Sequence, residues 1–140
     1  MVRRIASMGG IQPELRAYLG NIEEALNGDV VMDISPETVG SATDVATRTV
    51  TVTIQNAAGD TLEWVNSAFT STVSKADDTV GDGSSAIDST TLTLANGVGT
   101  VTVTYSDTWA ADDTQTVTIG NIVLAGVTVT GGTSVDTIVA

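Results

Sequence analysis

The sequence predicts an all-β fold, a sandwich of short strands preceded by an N-terminal arm and one amphipathic helix. Thr occurs 24 times and Val 19 times in 140 residues, and these β-branched residues suit a pleated sheet better than a helix. From residue 29 onward apolar and polar residues alternate with a period of two, and turn signals recur at the roughly 8–12-residue spacing typical of a sandwich. No helical period interrupts this part, so a parallel sheet with crossover helices is not expected.

Three zones follow from the pattern. Residues 1–12 form a flexible basic arm, and residues 13–28 form the helix, with Pro13 at its first position and Asn27-Gly28 as its stop. The helix carries one apolar stripe at positions i, i+4, i+7 and i+11, made of Leu15, Leu19, Ile22 and Leu26. That stripe packs either on the protein's own β domain or on a neighbouring subunit. Residues 29–140 form the sandwich with a C-terminal strand extension.

The predicted strands share the alternation of Val, Ile or Leu with Thr. They are centred on 50–54, 62–64, 69–73, 92–94, 101–105, 117–119, 122–130 and 135–139. The turns and polar loops between them are 56–60, 75–89, 96–97 and 106–114. The Asn96-Gly97 pair predicts a tight hairpin. The tail 122–140 either closes the sandwich internally or adds a strand to a neighbour's sheet.

Composition excludes several classes of function. The chain has no Cys and no His and a formal net charge of −12. A Ser-His-Asp triad, an imidazole acid–base step, a thiolate nucleophile and a Cys-based zinc site are therefore ruled out. An acidic chain without Lys/Arg clusters is not expected to bind nucleic acid. No Sec signal and no membrane-spanning run is recognisable. We expect neither an enzyme nor a cofactor.

Four stretches carry a resemblance to a known family. Residues 49–60, the Ala95-Asn96-Gly97 turn, and the strands 100–105 and 116–119 resemble bacterial immunoglobulin-like (Big/invasin-type) repeats. The resemblance covers residues 37–120 and implies an Ig-like β-sandwich. A single such domain behind a short arm and helix resembles the capsid decoration (cement) proteins of tailed phages.

The second resemblance implies a structural virion protein that binds the assembled shell as a homo-oligomer, with a trimer favoured. Its partner would be the major capsid protein or another virion protein, and its place the virion surface after synthesis in the host cytoplasm. No nucleic acid and no membrane partner is implied. The alternatives are a tail-tube or fibre component, or a carbohydrate- or host-binding Ig-like module. The candidate partner-binding residues are Arg3, Arg4, Leu15, Leu19, Ile22, Leu26 and Trp109.

One loop contains weak candidates for calcium ligands. Asp77, Asp78, Asp82 and Asp88 lie in a Gly- and Ser-rich stretch, and Ca²⁺ takes six to eight oxygen ligands. The spacing departs from the EF-hand loop, so a solvated acidic loop is the expected structure and no metal is assigned. Convergence with the second acidic loop, 107–113, would strengthen the calcium hypothesis. Trp109 in that second loop either makes an exposed contact or folds back over the sandwich edge.

Overall fold

The computed structural model describes residues 30–140, so the predicted arm (1–12) and helix (13–28) lie outside the described residues. The described chain forms eleven strands. They are β1 (Val30–Ser35), β2 (Thr38–Ala42), β3 (Thr47–Asn56), β4 (Thr70–Asp78), β5 (Ser84–Ile87), β6 (Thr91–Thr93), β7 (Val98–Ser106), β8 (Thr114–Ile119), β9 (Ile122–Leu124), β10 (Val127–Val129) and β11 (Gly132–Val139).

Nine of the eleven strands form two sheets, which confirms the prediction of an all-β, Ig-like sandwich. Sheet I has the order β1-β3-β7-β5, and sheet II has the order β2-β11-β8-β4-β6. The first order corresponds to strands A-B-E-D of an immunoglobulin domain, and β11-β8-β4 correspond to G-F-C. All pairs are antiparallel except β2 with β11. The short β9–β10 hairpin stands beside the two sheets.

The core lies between the inner faces of the two sheets, as the alternation of residues predicts. In β3 the side chains of Val50, Val52 and Ile54 are wholly buried, while the intervening Thr residues face outward. Val101 and Val103 of β7 alternate in the same way. The regular period therefore decides both the strand positions and the direction in which each side chain points.

The turn predicted at 56–60 is confirmed. The backbone N–H of Gly59 donates to the Asn56 carbonyl (3.0 Å). The Asn56 side-chain oxygen accepts from the N–H groups of Ala58 and Asp60, each at 2.9 Å. Gly59 has φ +91°, a conformation that favours glycine. The side-chain bonds explain why Asn stands at the first position of this turn.

The predicted strand through Leu62 and Trp64 is wrong. Residues 62–69 form successive turns, with the N–H of Val65 donating to the Leu62 carbonyl (3.0 Å) and the N–H of Phe69 donating to the Asn66 carbonyl (2.9 Å). Leu62 and Val65 are both buried. A strand would direct residues three apart to opposite faces, whereas the observed turn brings both of them into the core.

The predicted strands did not include β1 and β2, and two later parts of the chain also differ from prediction. The polar loop expected at 75–89 contains the end of β4 and all of β5, which leaves 79–83 and 88–89 outside the strands. The apolar run 122–130 is broken into the β9–β10 hairpin by Ala125 and Gly126, whose φ values are +50° and +82°. In both places a short strand pairs with another strand, and its own sequence does not indicate which strand that is.

The tight turn at Asn96-Gly97 is confirmed, although it does not join a regular hairpin. Asn96 and Gly97 have φ +50° and +79°, and Ala95 and Val98 exchange backbone hydrogen bonds of 2.8 and 3.0 Å. Beyond this pair β6 joins β4 in sheet II, whereas β7 joins β3 and β5 in sheet I. The turn therefore carries the chain from one sheet to the other.

Of the two alternatives for the tail, the structure shows internal closure. β11 lies between β2 and β8 in sheet II, parallel to the first and antiparallel to the second. Both of its edges are already hydrogen-bonded, so β11 is not available to extend a neighbour's sheet.

Candidate functional site

The main polar cluster of the described chain lies inside the sandwich and is centred on Arg48 of β3. Its side chain is 7% exposed and reaches across the core from sheet I to sheet II. Nη1 donates to Ser134 Oγ at 2.7 Å, and Nη2 donates to Gln115 Oε1 at 2.6 Å and to the Ser134 carbonyl at 3.2 Å. Ser134 Oγ donates in turn to the Pro36 carbonyl at 2.6 Å. One guanidinium thus joins β3 to β8 and β11.

Asp136 of β11 supplies the negative charge of this cluster and is wholly buried. Its Oδ2 lies 3.9 Å from Arg48 Nε, an ion pair without a hydrogen bond, and accepts the Tyr105 hydroxyl at 2.6 Å. Burial, and then the hydrogen bond to Asp136, raise the pKa of Tyr105 above its usual range. Tyr105 therefore stays a neutral donor at any ordinary pH.

We call Arg48, Tyr105, Gln115, Ser134 and Asp136 the inter-sheet network. Gln115, Ser134 and Asp136 are each 0% exposed, so a dissolved substrate cannot reach them. A buried ion pair is stabilising only when its geometry and hydrogen bonds offset the cost of desolvation. The hydrogen bonds of the network connect β3 of sheet I with β8 and β11 of sheet II.

This network is not among the residues predicted from the sequence, although the alternation of the strands contains a signal for it. Arg48 lies in register with Val50 and Val52, and Gln115 lies in register with Val117. Asp136 occupies the same inward series as Ile138. A polar residue at an inward position of a regular strand must be paired. That rule would have identified the members of the network but not which of them meet.

The two acidic loops do converge at one end of the sandwich. Asp113 is 1% exposed, and its carboxylate accepts from the N–H of Val80 (2.9 Å) in the first loop and of Ala110 (2.9 Å) in the second. Ser84 Oγ donates to Asp107 Oδ2 at 3.2 Å. Asp113 thus serves as a backbone acceptor that fixes one loop on the other.

The calcium candidates are separated by different local roles. Asp77 accepts from the N–H (2.9 Å) and hydroxyl (2.6 Å) of Ser85 and pairs with Lys75. Asp88 Oδ1 accepts from the N–H of Thr102 at 3.0 Å, while Asp78 and Asp82 are exposed. Within residues 30–140 no group of three or more acidic residues is placed to hold a metal ion.

Asp77 also connects the two sheets through its hydrogen bonds to Ser85, because Asp77 lies on β4 of sheet II and Ser85 lies on β5 of sheet I. Desolvation raises the pKa of its carboxyl group, but the hydrogen bonds from Lys75 and Ser85 outweigh that effect. The pKa of Asp77 is therefore lowered from its ordinary value, so Asp77 remains charged at neutral pH.

The prediction of Trp109 as an exposed partner contact is wrong. The side chain is 4% exposed and packs edge-to-face on Tyr105, with ring centroids 5.2 Å apart. Its Nε1–H donates to the Ser106 carbonyl at 3.0 Å, and a Cβ on Gly83 would lie 2.9 Å from its ring. Trp109 folds back over the sandwich, the other alternative considered, because its large ring completes the core at this end.

The remaining partner-binding candidates, Arg3, Arg4, Leu15, Leu19, Ile22 and Leu26, lie outside the described residues. The surface of residues 30–140 is therefore described without them. The outer face of sheet I is formed largely by Thr, with Thr51 opposite Thr100 and Thr49 opposite Thr102. Within residues 30–140 the two basic side chains are already engaged, Arg48 in the network and Lys75 with Asp77.

No helix in the described part is long and apolar enough to cross a membrane.

An open groove lies on the described surface, in the seam between β1 of sheet I and the start of β11 of sheet II. Its volume is about 360 Å³, and its lining residues are Met32, Asp33, Ile34, Glu37, Gly132 and Thr133. Met32 and Ile34 are partly buried and pack against the main core. The groove is thus a place where the core is incompletely covered.

No family model and no curated protein matches the chain. Domains 4 and 5 of the S-layer protein SbsC are a similar solved structure, with 18% identity and TM-score 0.40, covering 79% of this chain and 51% of that one. WR4, a C. elegans MSP family member, is 7% identical with TM-score 0.47, covering 77% and 97%. The E. coli chaperone DraB is 7% identical with TM-score 0.43, covering 75% and 53%. The chain spans about half of the SbsC fragment. These distant similarities assign no function.

Proposed function

We propose that this chain is a structural component of a virus particle, with capsid decoration as its specific role. The observation that carries the structural part is the inaccessibility of the inter-sheet network. Its polar side chains hold the two sheets together, and Asp136 and Gln115 have no exposed surface. Such a domain is suited to remaining folded in a fixed place, so we further propose that it is not an enzyme.

Capsid decoration as the specific role is supported by the arrangement of the chain. An Ig-like domain follows a segment that contains three of the five basic residues, Arg3, Arg4 and Arg16. The described domain is acidic, and its two basic side chains are already engaged, Arg48 inside the core and Lys75 with Asp77. Arg3 and Arg4 are therefore the groups of this chain best suited to pair with carboxylates of a shell protein.

Binding to a shell would gain from many identical weak contacts. We propose a closed homo-oligomer, with a trimer favoured, as the bound form. Exchange of the C-terminal strand is no longer part of that proposal, because β11 is paired on both edges. Light scattering on a sizing column measures the solution mass. A trimer supports the proposal, and a monomer or an open-ended polymer contradicts it.

The carbohydrate-binding alternative depended on Trp109 as an exposed aromatic residue. Because that ring is buried, no observation on the described surface favours this alternative.

Cosedimentation with shells tests the proposed role. Shells assembled from the major capsid protein of the same virus are mixed with the full chain at increasing concentration. We expect saturable binding that weakens as salt is raised, since exposed ion pairs are screened. A chain with Arg3→Glu and Arg4→Glu should bind more weakly, while the matched Arg3→Lys and Arg4→Lys chain should retain most of the binding. Absence of saturable binding by the unchanged chain would contradict capsid decoration.

A further inference from the structure

We propose that the sandwich contains a binding site for one water molecule, between Arg48 Nε and Asp136 Oδ1 of the inter-sheet network. Both atoms are buried, and neither has a hydrogen-bond partner among the described residues. Buried polar atoms are normally paired with protein groups or with ordered water, and a buried donor or acceptor that stays unpaired is unfavourable. Two such atoms on neighbouring side chains therefore call for one shared partner.

The distance between the two charged groups fits a bridging molecule better than a direct contact. Arg48 Nε lies 3.9 Å from Asp136 Oδ2, beyond the roughly 2.7–3.2 Å of an N–H···O hydrogen bond. Shorter hydrogen bonds hold both groups in place. The Arg48 guanidinium meets Gln115 Oε1 at 2.6 Å and Ser134 Oγ at 2.7 Å, and Asp136 Oδ2 meets the Tyr105 hydroxyl at 2.6 Å. A fixed polar separation of this length favours a bridging water.

The chemistry of the two atoms selects the kind of molecule that binds. Arg48 Nε carries a proton and needs an acceptor, whereas the carboxylate oxygen of Asp136 needs a donor. A metal ion cannot accept from an N–H group, and a halide ion cannot donate to a carboxylate. Water does both. A larger solute cannot reach the site, because Gln115, Ser134 and Asp136 are each 0% exposed.

The Tyr105 hydroxyl supplies a third group at the same point. It donates to Asp136 Oδ2, and its oxygen keeps a lone pair that can accept a hydrogen bond. Burial and the hydrogen bond to Asp136 raise the pKa of Tyr105, while the charge of Arg48 acts in the opposite direction, so the hydroxyl lies near both charged groups. A buried water makes about three hydrogen bonds, and these three side chains can provide them.

The bound water makes the ion pair between Arg48 and Asp136 an indirect one. It completes the polar connection between β3 and β11, because each unpaired atom then has a partner. The site goes beyond the proposed capsid role and is independent of it, since its residues are enclosed between the two sheets. Shell binding is measured separately by cosedimentation.

Nuclear Overhauser spectroscopy of the full chain tests the site in solution. Arg48 is the one arginine of residues 30–140, and its Nε–H is buried, so its proton should exchange slowly enough to be observed. We expect a cross-peak between water and this proton with the sign of a long-lived contact, because a buried water is held by several hydrogen bonds. Absence of the cross-peak, or the sign typical of surface water, would overturn the proposal.

Two variants separate bound water from other exchangeable protons. Tyr105→Phe removes the neighbouring hydroxyl proton but keeps Arg48 and Asp136, so the cross-peak should persist. Lys75→Met changes the other basic side chain of residues 30–140 and should leave the cross-peak unchanged. Loss of the cross-peak in the Tyr105→Phe chain alone would assign it to the hydroxyl proton and would overturn the proposal.

A high-resolution crystal structure of the full chain locates the molecule directly. We expect electron density for a water oxygen at roughly 2.7–3.2 Å from both Arg48 Nε and Asp136 Oδ1. A direct hydrogen bond between those two atoms, or no density between them, would contradict the proposed site.

Discussion

Replacement of Arg48 by Met tests whether the inter-sheet network holds the sandwich together. The substitution leaves Gln115 Oε1 and the Ser134 hydroxyl without the donor that they meet at 2.6 and 2.7 Å. It also leaves Asp136 buried without its cation. Removal of one partner of a buried ion pair costs about 3–5 kcal/mol, a large share of the roughly 5–15 kcal/mol by which a domain is stable.

The assay is urea unfolding at pH 7, followed by circular dichroism and tryptophan fluorescence. The matched control is Lys75→Met, which removes the other basic residue of the described domain from a partly exposed pair with Asp77. Such pairs contribute about 0–1 kcal/mol. If Arg48→Met lowers the free energy of unfolding no more than Lys75→Met does, the stabilising role of the network is refuted.

Three further predictions concern side chains with defined geometry. Tyr105→Phe removes a hydrogen bond to a buried carboxylate and should lower the free energy of unfolding by about 1.5–3 kcal/mol. The pKa of Tyr105 is raised in the folded state, so the unchanged chain should lose stability as pH rises above about 10. The Tyr105→Phe chain should lose less stability over the same pH range, as measured by urea unfolding. Gly97→Ala should lower the thermal stability more than Gly59→Ala does. Both glycines have positive φ, but only the Cβ at 97 meets a backbone oxygen, at 2.7 Å. Equal losses of stability would contradict this. The lowered pKa of Asp77 predicts a contribution to stability that is present above about pH 4 and lost as pH falls further, and acid unfolding of Asp77→Asn should lack it.

Much of the fold could be predicted because the alternation of Val and Thr directly reports which side chains face the core. The long strands β3 and β7 were predicted for this reason, as was the turn at Asn56, whose side chain determines its shape. The segment from Leu62 to Phe69 was not predictable from period alone. Its course depends on backbone bonds to distant residues, such as that from the N–H of Gly97 to the Val65 carbonyl at 2.8 Å.

The candidate site was less predictable than the fold. Arg48, Gln115 and Asp136 stand at inward positions, so the sequence indicates that each needs a partner. Their meeting depends on how the two sheets face one another, because Arg48 and Ser134 are 86 residues apart. The burial of Trp109 likewise depends on Gly83, in a loop far from it in sequence.

The most direct test of the proposed role is the position of the chain on intact particles. Gold-labelled antibodies against the exposed loop 79–83 can be applied to unbroken virions and viewed by electron microscopy. Capsid decoration predicts label over the outer surface of the shell. Label confined to the tail, or no label on particles that contain the chain, would contradict it.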